Sequence, residues 1–469
     1  MKRAVMLTAL LLAVLCAVQF FSCEQTGESG NTGKQEGNGT TTDTESVGTE
    51  FPELEAEDFG GAEITFLVVE PNEVNNRLRE INVIEENGDI LNDSVFRRNV
   101  IIEDKYNIKF EVVEANVADS ISKVVNSGDD SYDVALGGIG NSYASAGKGY
   151  LLDLNEVPYV DLSNPWWNQD SVSGGSIAGK NYLAVSDINL LSLDNMAVMM
   201  FNKKIVSDLS LESPYDLVKS GEWTIDKLYE ISGKVLKDVN GDGKFTKDDM
   251  YGFASSDDNH ARAWGIPCEI KIASRDEDGF MKMTYNSERT QNVLEKLVKL
   301  YSARSTYKHF NEFNSPYMLV DGPNMFKDGR ALIASSFLKI ASVLRGMDTD
   351  FGIIPIPKYD EIQEEYHTTV HDSTTVICFP RTINDPDMSG LIAEALCVYS
   401  HYDVIPEYYE ISLKTKSSRD TESEAMIDLI RDSLMFNFGE MYSVMLDGAL
   451  GLLGNTIIAG SSKFASRYA

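Results

Sequence analysis

Tyr132-Asp133-Val134-Ala135-Leu136-Gly137-Gly138 is a strand-length apolar run closed by a glycine turn. It is the third such run in the chain. The first is Glu63-Ile64-Thr65-Phe66-Leu67-Val68-Val69, short, apolar and rich in β-branched residues, which predicts a buried strand. Helical spacing follows from about Asp93 to Lys105, with Val95, Phe96, Val100 and Ile101 on one face. Ile108 to Val113 reads as the second strand, and Ala118 to Val125 repeats the helical pattern. Strands that alternate with helices specify an α/β body with a mostly parallel sheet.

The alternation recurs downstream. Asn195 to Phe201 reads as a strand, and Ser213-Pro214 as a helix cap with proline at the first helical position. Thr224 opens another helix through Leu228, Ile231 and Val235. Ser287 precedes a helix with Val293, Leu294, Leu297, Val298 and Tyr301 on one stripe. Arg330 to Ala334, Phe351 to Pro355 and Val376 to Phe379 read as strands, and the chain is mostly helical from Ser389 to Met445. No repeat of solenoid length is present.

The amino terminus reads as an export signal. Lys2 and Arg3 precede an apolar run from Ala4 to Phe21 that ends at Ser22-Cys23. An uncleaved anchor is the alternative, since a spanning helix needs about 20 apolar residues. Glu24 to Glu50 is Gly, Thr, Glu, Ser and Asn with almost nothing to bury, and is expected to be a flexible tether.

With 41 basic and 73 acidic residues the net charge is −32. That excludes nucleic acid as a partner, because phosphate contacts need clustered Lys and Arg. It also argues against a body lying on anionic lipid. In the body, Cys268, Cys378 and Cys397 have neither metal nor disulfide-framework spacing and are expected as small buried hydrophobes. The body from Phe51 to Ala469 has a length that corresponds to two or three domains.

Tyr132-Asp133-Val134, then Gly149-Tyr150-Leu151-Leu152-Asp153-Leu154, resembles the extracellular solute-binding proteins of sugar-type ABC importers, the group that includes maltose-binding protein. Gly179-Lys180-Asn181-Tyr182-Leu183-Ala184-Val185, followed by Met200-Phe201-Asn202-Lys203-Lys204, is similar to the same family. So are Phe326-Lys327-Asp328-Gly329-Arg330-Ala331 and Phe351-Gly352-Ile353-Ile354-Pro355-Ile356-Pro357. Phe20-Phe21-Ser22-Cys23 resembles a bacterial lipobox, with Phe20 in place of the usual leucine and Cys23 as the lipidated residue.

The resemblance implies an α/β, two-lobed periplasmic-binding-protein-like fold with a hinge and an interlobe cleft. It implies crossings near Asp194, Ser335 and Pro386. The expected layout is a signal peptide over 1–22 and a lipidated tether over 23–58. One lobe is then 59–194 plus 335–386, and the other 195–334 plus 387–469. The implied function is capture of a sugar or oligosaccharide for an ABC importer permease, by a monomer held by lipid on the outer face of the cell membrane. A surface glycan hydrolase and a ligand-sensing receptor subunit are the rivals.

Ligands sit at the carboxyl ends of strands in open α/β sheets. Asn141, Ser142 and Tyr143 follow the third strand and are candidate contacts, unless the glycines there simply make a turn. Asp187 and Asp194 lie near the first crossing. Asp257-Asp258-Asn259-His260 with Trp264 offers hydroxyl-matching groups beside an indole, with a packed Trp264 as the alternative. Phe337, Asp372 and Ser373 complete the candidate cleft set. Trp166-Trp167 is read as packing.

No catalytic constellation stands out. Gly174-Gly175-Ser176-Ile177-Ala178-Gly179-Lys180 nearly matches a phosphate loop, but Asn181 stands where Ser or Thr is required. His367 and His371 lie in residues that favour extended chain, where four residues span about 13 Å, too far to share an ion. Neither a His-Glu-x-x-His motif nor a Gly-x-Ser-x-Gly elbow occurs. Asp238 to Asp249 resembles an EF-hand loop. Asp238, Asn240 and Asp242 stand at positions 1, 3 and 5, Gly243 makes the turn, and Lys244 offers its carbonyl. Thr246 stands at position 9, and Asp249 closes the loop as in dockerins. A structural Ca2+ is therefore expected, away from the ligand, unless the residues form only a surface turn.

Overall fold

The computed structural model describes residues 51–70, 80–255, 258–308, 322–414, 418, 420–461 and 464–468. The expected signal peptide, the expected lipidation site Cys23 and most of the expected tether lie outside the described residues. Among those described, no helix is long and apolar enough to cross a membrane.

The strands in chain order are β1 (Ala62–Val69), β2 (Ile108–Ala115), β3 (Val134–Gly138), β4 (Ala197–Asn202), β5 (Leu236–Lys237), β6 (Met250–Ser255), β7 (Ala273–Arg275), β8 (Met281–Met283), β9 (Thr306–Lys308), β10 (Ala331–Phe337), β11 (Phe351–Ile354) and β12 (Thr375–Cys378). They form two main sheets. The first has the order β12-β3-β1-β2, with β1 parallel to both β2 and β3 and β12 antiparallel to β3. The second has the order β11-β4-β10-β6-β5, with β9 also on β6. Here β10 runs parallel to β6 but antiparallel to β4, and β11 is antiparallel to β4. The first sheet is mostly parallel, with β12 as its one antiparallel strand, whereas the second is mixed.

Period-two alternation explains why β1 and β4 are central. In β1, Ile64 and Phe66 enter one core and Leu67 the other. In β4, Ala197, Met199 and Phe201 face one core while Val198 and Met200 face the opposite one. A strand buried on both faces reads as a continuous apolar run. The helix Ile90–Tyr106 begins at Asp89, whose carboxylate accepts from Leu91 N and Asn92 N. Glu288–Ser302 begins at Ser287, which accepts from Thr290 N.

Sheet pairing moves two of the expected boundaries. Position 335 falls inside β10, where Ser335 and Phe337 pair with Met199 and Ala197 of β4. Phe351–Ile354 then pairs along the other edge of β4, so the chain re-enters the first sheet only at Thr375. The helix Pro386–Tyr399 packs with Ile64, Phe66 and Leu136 of the first sheet. The helix Thr421–Asp432 lies instead against the second, where Ser423 Oγ accepts from Ile353 N at 3.3 Å. The third crossing thus lies beyond the helix that begins at Pro386. Between those helices Ser400–Val404 and Pro406–Lys414 are π-helical.

All three body cysteines are buried and free. Burial pushes the Cys378 thiol up to about 12.

Candidate functional site

The parallel strands of the first sheet end on one edge, at Val69 of β1, Ala115 of β2 and Gly138 of β3. These residues, with Glu70, Asn116, Asn141, Ser142, Asp372 and Ser373, line a groove of about 630 Å³. Asn116 is also the cap of the helix Val117–Ser127, accepting from Asp119 N at 3.1 Å. A Cβ at Gly137 would collide with Ser142 Oγ, so glycine there lets the next helix, Ile139–Gly147, fold back tightly on β3. Ser373 Oγ accepts from Asn195 Nδ2 at 3.1 Å and lies 2.8 Å from His371 Nδ1. Asn195 follows the first crossing, so that contact ties the groove to the hinge region.

A second, narrower cavity opens behind it, of about 50 Å³. That is room for a few waters, not for a sugar ring. Its walls come from both sheets. Arg262, Ala263 and Ile266 follow β6, Phe337 ends β10, Ile139 follows β3, and Thr369 to Asp372 belong to the second crossing. Arg262 Nη2 meets Asp372 Oδ2 at 2.9 Å. The Glu440 carboxyl is pushed up to about 8 by burial, against the pull of the Arg262 guanidinium and a hydrogen bond from Thr369. It is therefore mainly protonated near neutral pH and can donate a hydrogen bond. The Phe337 ring sits between His260 and His371, with centroids 5.0 and 5.1 Å away.

The cleft thus gathers Asn141, Ser142, Phe337, Asp372 and Ser373 of the expected set. Among the described side chains, Tyr143, Asp187, Asp194, His260 and Trp264 of that set do not line it. Tyr143 is fully buried, edge-on to Tyr442 at 4.6 Å, because Ile139–Gly147 is a helix that turns residues 139, 142, 143 and 146 inward and leaves Asn141 outward. Trp264 is buried with its Nε1 donating to Tyr301 Oη at 3.1 Å. His260 is buried against Phe337, and the side chain of Asn259 lies outside the described residues. Asp187 meets His401 Nδ1 at 2.6 Å, and Asp194 accepts from the Tyr408 hydroxyl. Both acids hold the π-helical segment against the first crossing.

The pattern along the chain did not single out Arg262, Thr369, Asn437 or Glu440. They come from segments far apart in sequence, and only the Arg262 position, after a strand, carried a local signal.

Beside the cleft, Ser373 Oγ and Asp372 Oδ1 both approach His371 Nδ1, at 2.8 and 3.1 Å. A nucleophile–base–acid relay uses the two ring nitrogens separately. The near phosphate loop is the end of the helix Gln169–Gly175 and a turn closed by Ile177 and Lys180. Lys180 there faces Asp153 and Glu156 at 3.5 and 3.6 Å. His367 and His371 flank extended chain, with Thr368 bridged to Leu434 and Val370 to Met196.

The loop 238–249 joins β5 to β6, so a strand rather than a helix precedes it. Asp238 accepts from Gly241 N and Gly243 N, Asn240 from Asp242 N, and Asp242 from Lys244 N. Asp249 is buried, and the amides of Thr246 and Val239 hold its carboxyl below the usual range. Gly241 and Gly243 take φ of 73° and 77°. Among the described residues no group of three or more His, Cys, Asp or Glu is arranged to hold a metal ion.

No protein-family model matches the sequence, and no curated protein matches it. Solved structures do match the fold. The cyclic α-maltosyl-1,6-maltose binding protein from Arthrobacter globiformis aligns with a TM-score of 0.56 at 13% identity, covering 87% of this chain and 96% of its own. The GacH receptor of Streptomyces glaucescens GLA.O, described unliganded and with acarbose, aligns at 0.54 and 11% identity, covering 87% and 96%. Maltose-bound MalE3 of T. maritima aligns at 0.51 and 13%, covering 87% and 98%. The chain has the two-lobed periplasmic-binding-protein fold of the maltose-binding type.

Proposed function

We propose that this chain captures a sugar or oligosaccharide in the cleft between its two sheets and hands it to an ABC importer. The observation that carries the reading is the cleft itself. Amide, hydroxyl and carboxylate groups line the outer groove, and Phe337, Ile139 and Phe436 give the inner cavity apolar walls. Carbohydrate hydroxyls match the first kind of surface, while the second, at about 50 Å³, takes a hydroxyl or a water rather than a ring. Incubation with mixed neutral oligosaccharides should leave them intact and retained by the protein. Shortened products would instead support the hydrolase, for which Glu440 as an acid and Asp372 as a carboxylate in one cavity are the specific observation. Permease genes beside this one would support import over a sensory role.

Capture should close the lobes. A ligand shifts the open–closed balance only through contacts better made in the closed form. Small-angle scattering should give a smaller radius of gyration with bound sugar; an unchanged profile with proven binding would count against closure.

The chain acts as a monomer lipidated at Cys23 on the outer face of the membrane. Labelling with a fatty acid should be lost in Cys23→Ala, and equal labelling of both proteins would refute the anchor. A structural Ca2+ at Asp238, Asn240, Asp242, the Lys244 carbonyl and Asp249 belongs to the same proposal. An ion that binds only the folded form raises stability by mass action. Calcium should raise the melting temperature of the wild type and not that of Asp242→Ala. A wild type indifferent to calcium assigns the loop to turn formation alone.

A further inference from the structure

The outer groove and the inner cavity touch at one side chain. Asp372 lines both, and among the described residues no other does. Its side chain is 47% exposed, whereas the Arg262 side chain that it meets at 2.9 Å is only 20% exposed. Arg262 comes from the second sheet, seven residues beyond the end of β6, and Asp372 lies three residues before β12 of the first. The pair therefore spans the cleft and stands as the wall between a space that admits a sugar and one that does not.

We propose that Arg262 is a ligand-binding residue held ready by Asp372, and that a neutral saccharide in the outer groove takes the place of each partner for the other, with no more than a hydroxyl reaching the inner cavity. This rests on the capture reading. A ligand O–H donates to the freed Asp372 carboxylate, and the guanidinium donates to a ligand hydroxyl oxygen. Both charged groups keep a partner throughout, which matters because breaking a charge-assisted contact without replacement is costly. The remaining acid in the cavity wall, Glu440, is mainly neutral, so Asp372 alone balances Arg262. An anionic saccharide would bring a further negative charge beside Asp372 and is disfavoured.

The test uses the full chain and calorimetric titration with maltotetraose and with a glucuronic-acid-containing tetrasaccharide. Asp372→Asn keeps an acceptor for the ligand but removes the competitor for Arg262, so affinity for maltotetraose should be unchanged or rise up to about tenfold. Arg262→Gln removes the donor fork, and affinity should fall at least about tenfold. Opposite responses support the proposal. Equal tightening in both variants would make the pair a passive wall, and equal weakening would make it a structural clamp; either overturns it, as does wild-type preference for the acidic sugar. A wild type that binds neither sugar overturns the exchange with ligand. Hydrogen exchange then separates that failure from the cleft-spanning role. His371 N, bonded to Asn195 O at 3.0 Å, should exchange faster in both variants if the pair holds the two sheets together, and at the wild-type rate if it does not.

Discussion

Replacing Glu394 with alanine should destabilise the protein by about 3–5 kcal/mol, a large share of the 5–15 kcal/mol typical of folded domains. Glu394 sits in the helix Pro386–Tyr399 and is buried. One carboxylate oxygen accepts from Trp166 Nε1 at 2.7 Å and Asn164 Nδ2 at 2.9 Å, and the other from Trp167 Nε1 at 3.0 Å. Alanine would strand these donors, two of them on buried indoles, and each costs about 1–3 kcal/mol when left unpaired away from water. Burial raises the Glu394 carboxyl, and the two indoles and the amide oppose that rise. Removing the carboxylate therefore also relieves some desolvation, which keeps the loss below the sum of the three donors. Glu394→Gln should cost less, about 1–2 kcal/mol, because its oxygen still accepts while its NH2 confronts one indole N–H. Denaturant unfolding followed by tryptophan fluorescence reads both. A loss under about 1 kcal/mol for alanine would mean that water reaches the indoles.

The same pair of tryptophans illustrates what could be read from the sequence. Two adjacent indoles look like a stacking platform, yet they were expected to pack, and Trp167 is fully buried with Trp166 nearly so. The strands were equally legible because each is a short apolar run bounded by turn residues. β1, β2, β4 and β11 lie within a few residues of where composition placed them. The helix starts at Thr224 and Ser287 were legible because a hydroxyl at the cap has a local partner, Lys227 N and Thr290 N.

The site was far less legible. Tyr143 and Asn141 are two residues apart, and only the start of a helix at Ile139 decides which faces solvent. Trp264 was placed beside a ligand because its neighbours are polar; Tyr301, 37 positions away, gives its indole a buried partner instead. Glu440 has no motif around it. Its raised carboxyl depends on the fold burying it, against the pull of Arg262 and Thr369, and no local pattern encodes that burial. The end of β10 was hidden for a related reason. Whether a strand ends at Ala334 or continues to Phe337 depends on β4 lying alongside.

Stability should fall as pH rises from 4.5 to 8, and Glu80 should carry a separable part of that fall. Glu80 is buried beside the first crossing. Its carboxyl accepts from Thr375 Oγ1 at 2.7 and 2.8 Å and from Leu191 N at 3.2 Å. The Arg98 guanidinium attracts it, but Arg98 is buried too, and the loss of water outweighs that attraction for both groups. Burial raises the Glu80 carboxyl from 4.5 to about 7. The folded state thus holds a proton that the unfolded chain has released, so this contribution is fully present below pH 4.5 and lost as pH rises through about 7. The linkage amounts to about 3 kcal/mol. Glu440, raised from 4.5 to about 8, acts in the same direction over a slightly wider window. Glu80→Gln keeps an oxygen for Thr375 and Leu191 but cannot ionise. The gap in unfolding free energy between Glu80→Gln and wild type should shift by about 3 kcal/mol in favour of the variant between pH 4.5 and 8. Subtracting the two curves removes every other titrating group common to both, including the exposed acids behind the net charge of −32. Parallel curves would show that Glu80 stays ionised in the folded protein. The hydrogen bonds from Thr375 and Leu191, which tie the first crossing to β12, would then be contacts of a carboxylate that water still reaches.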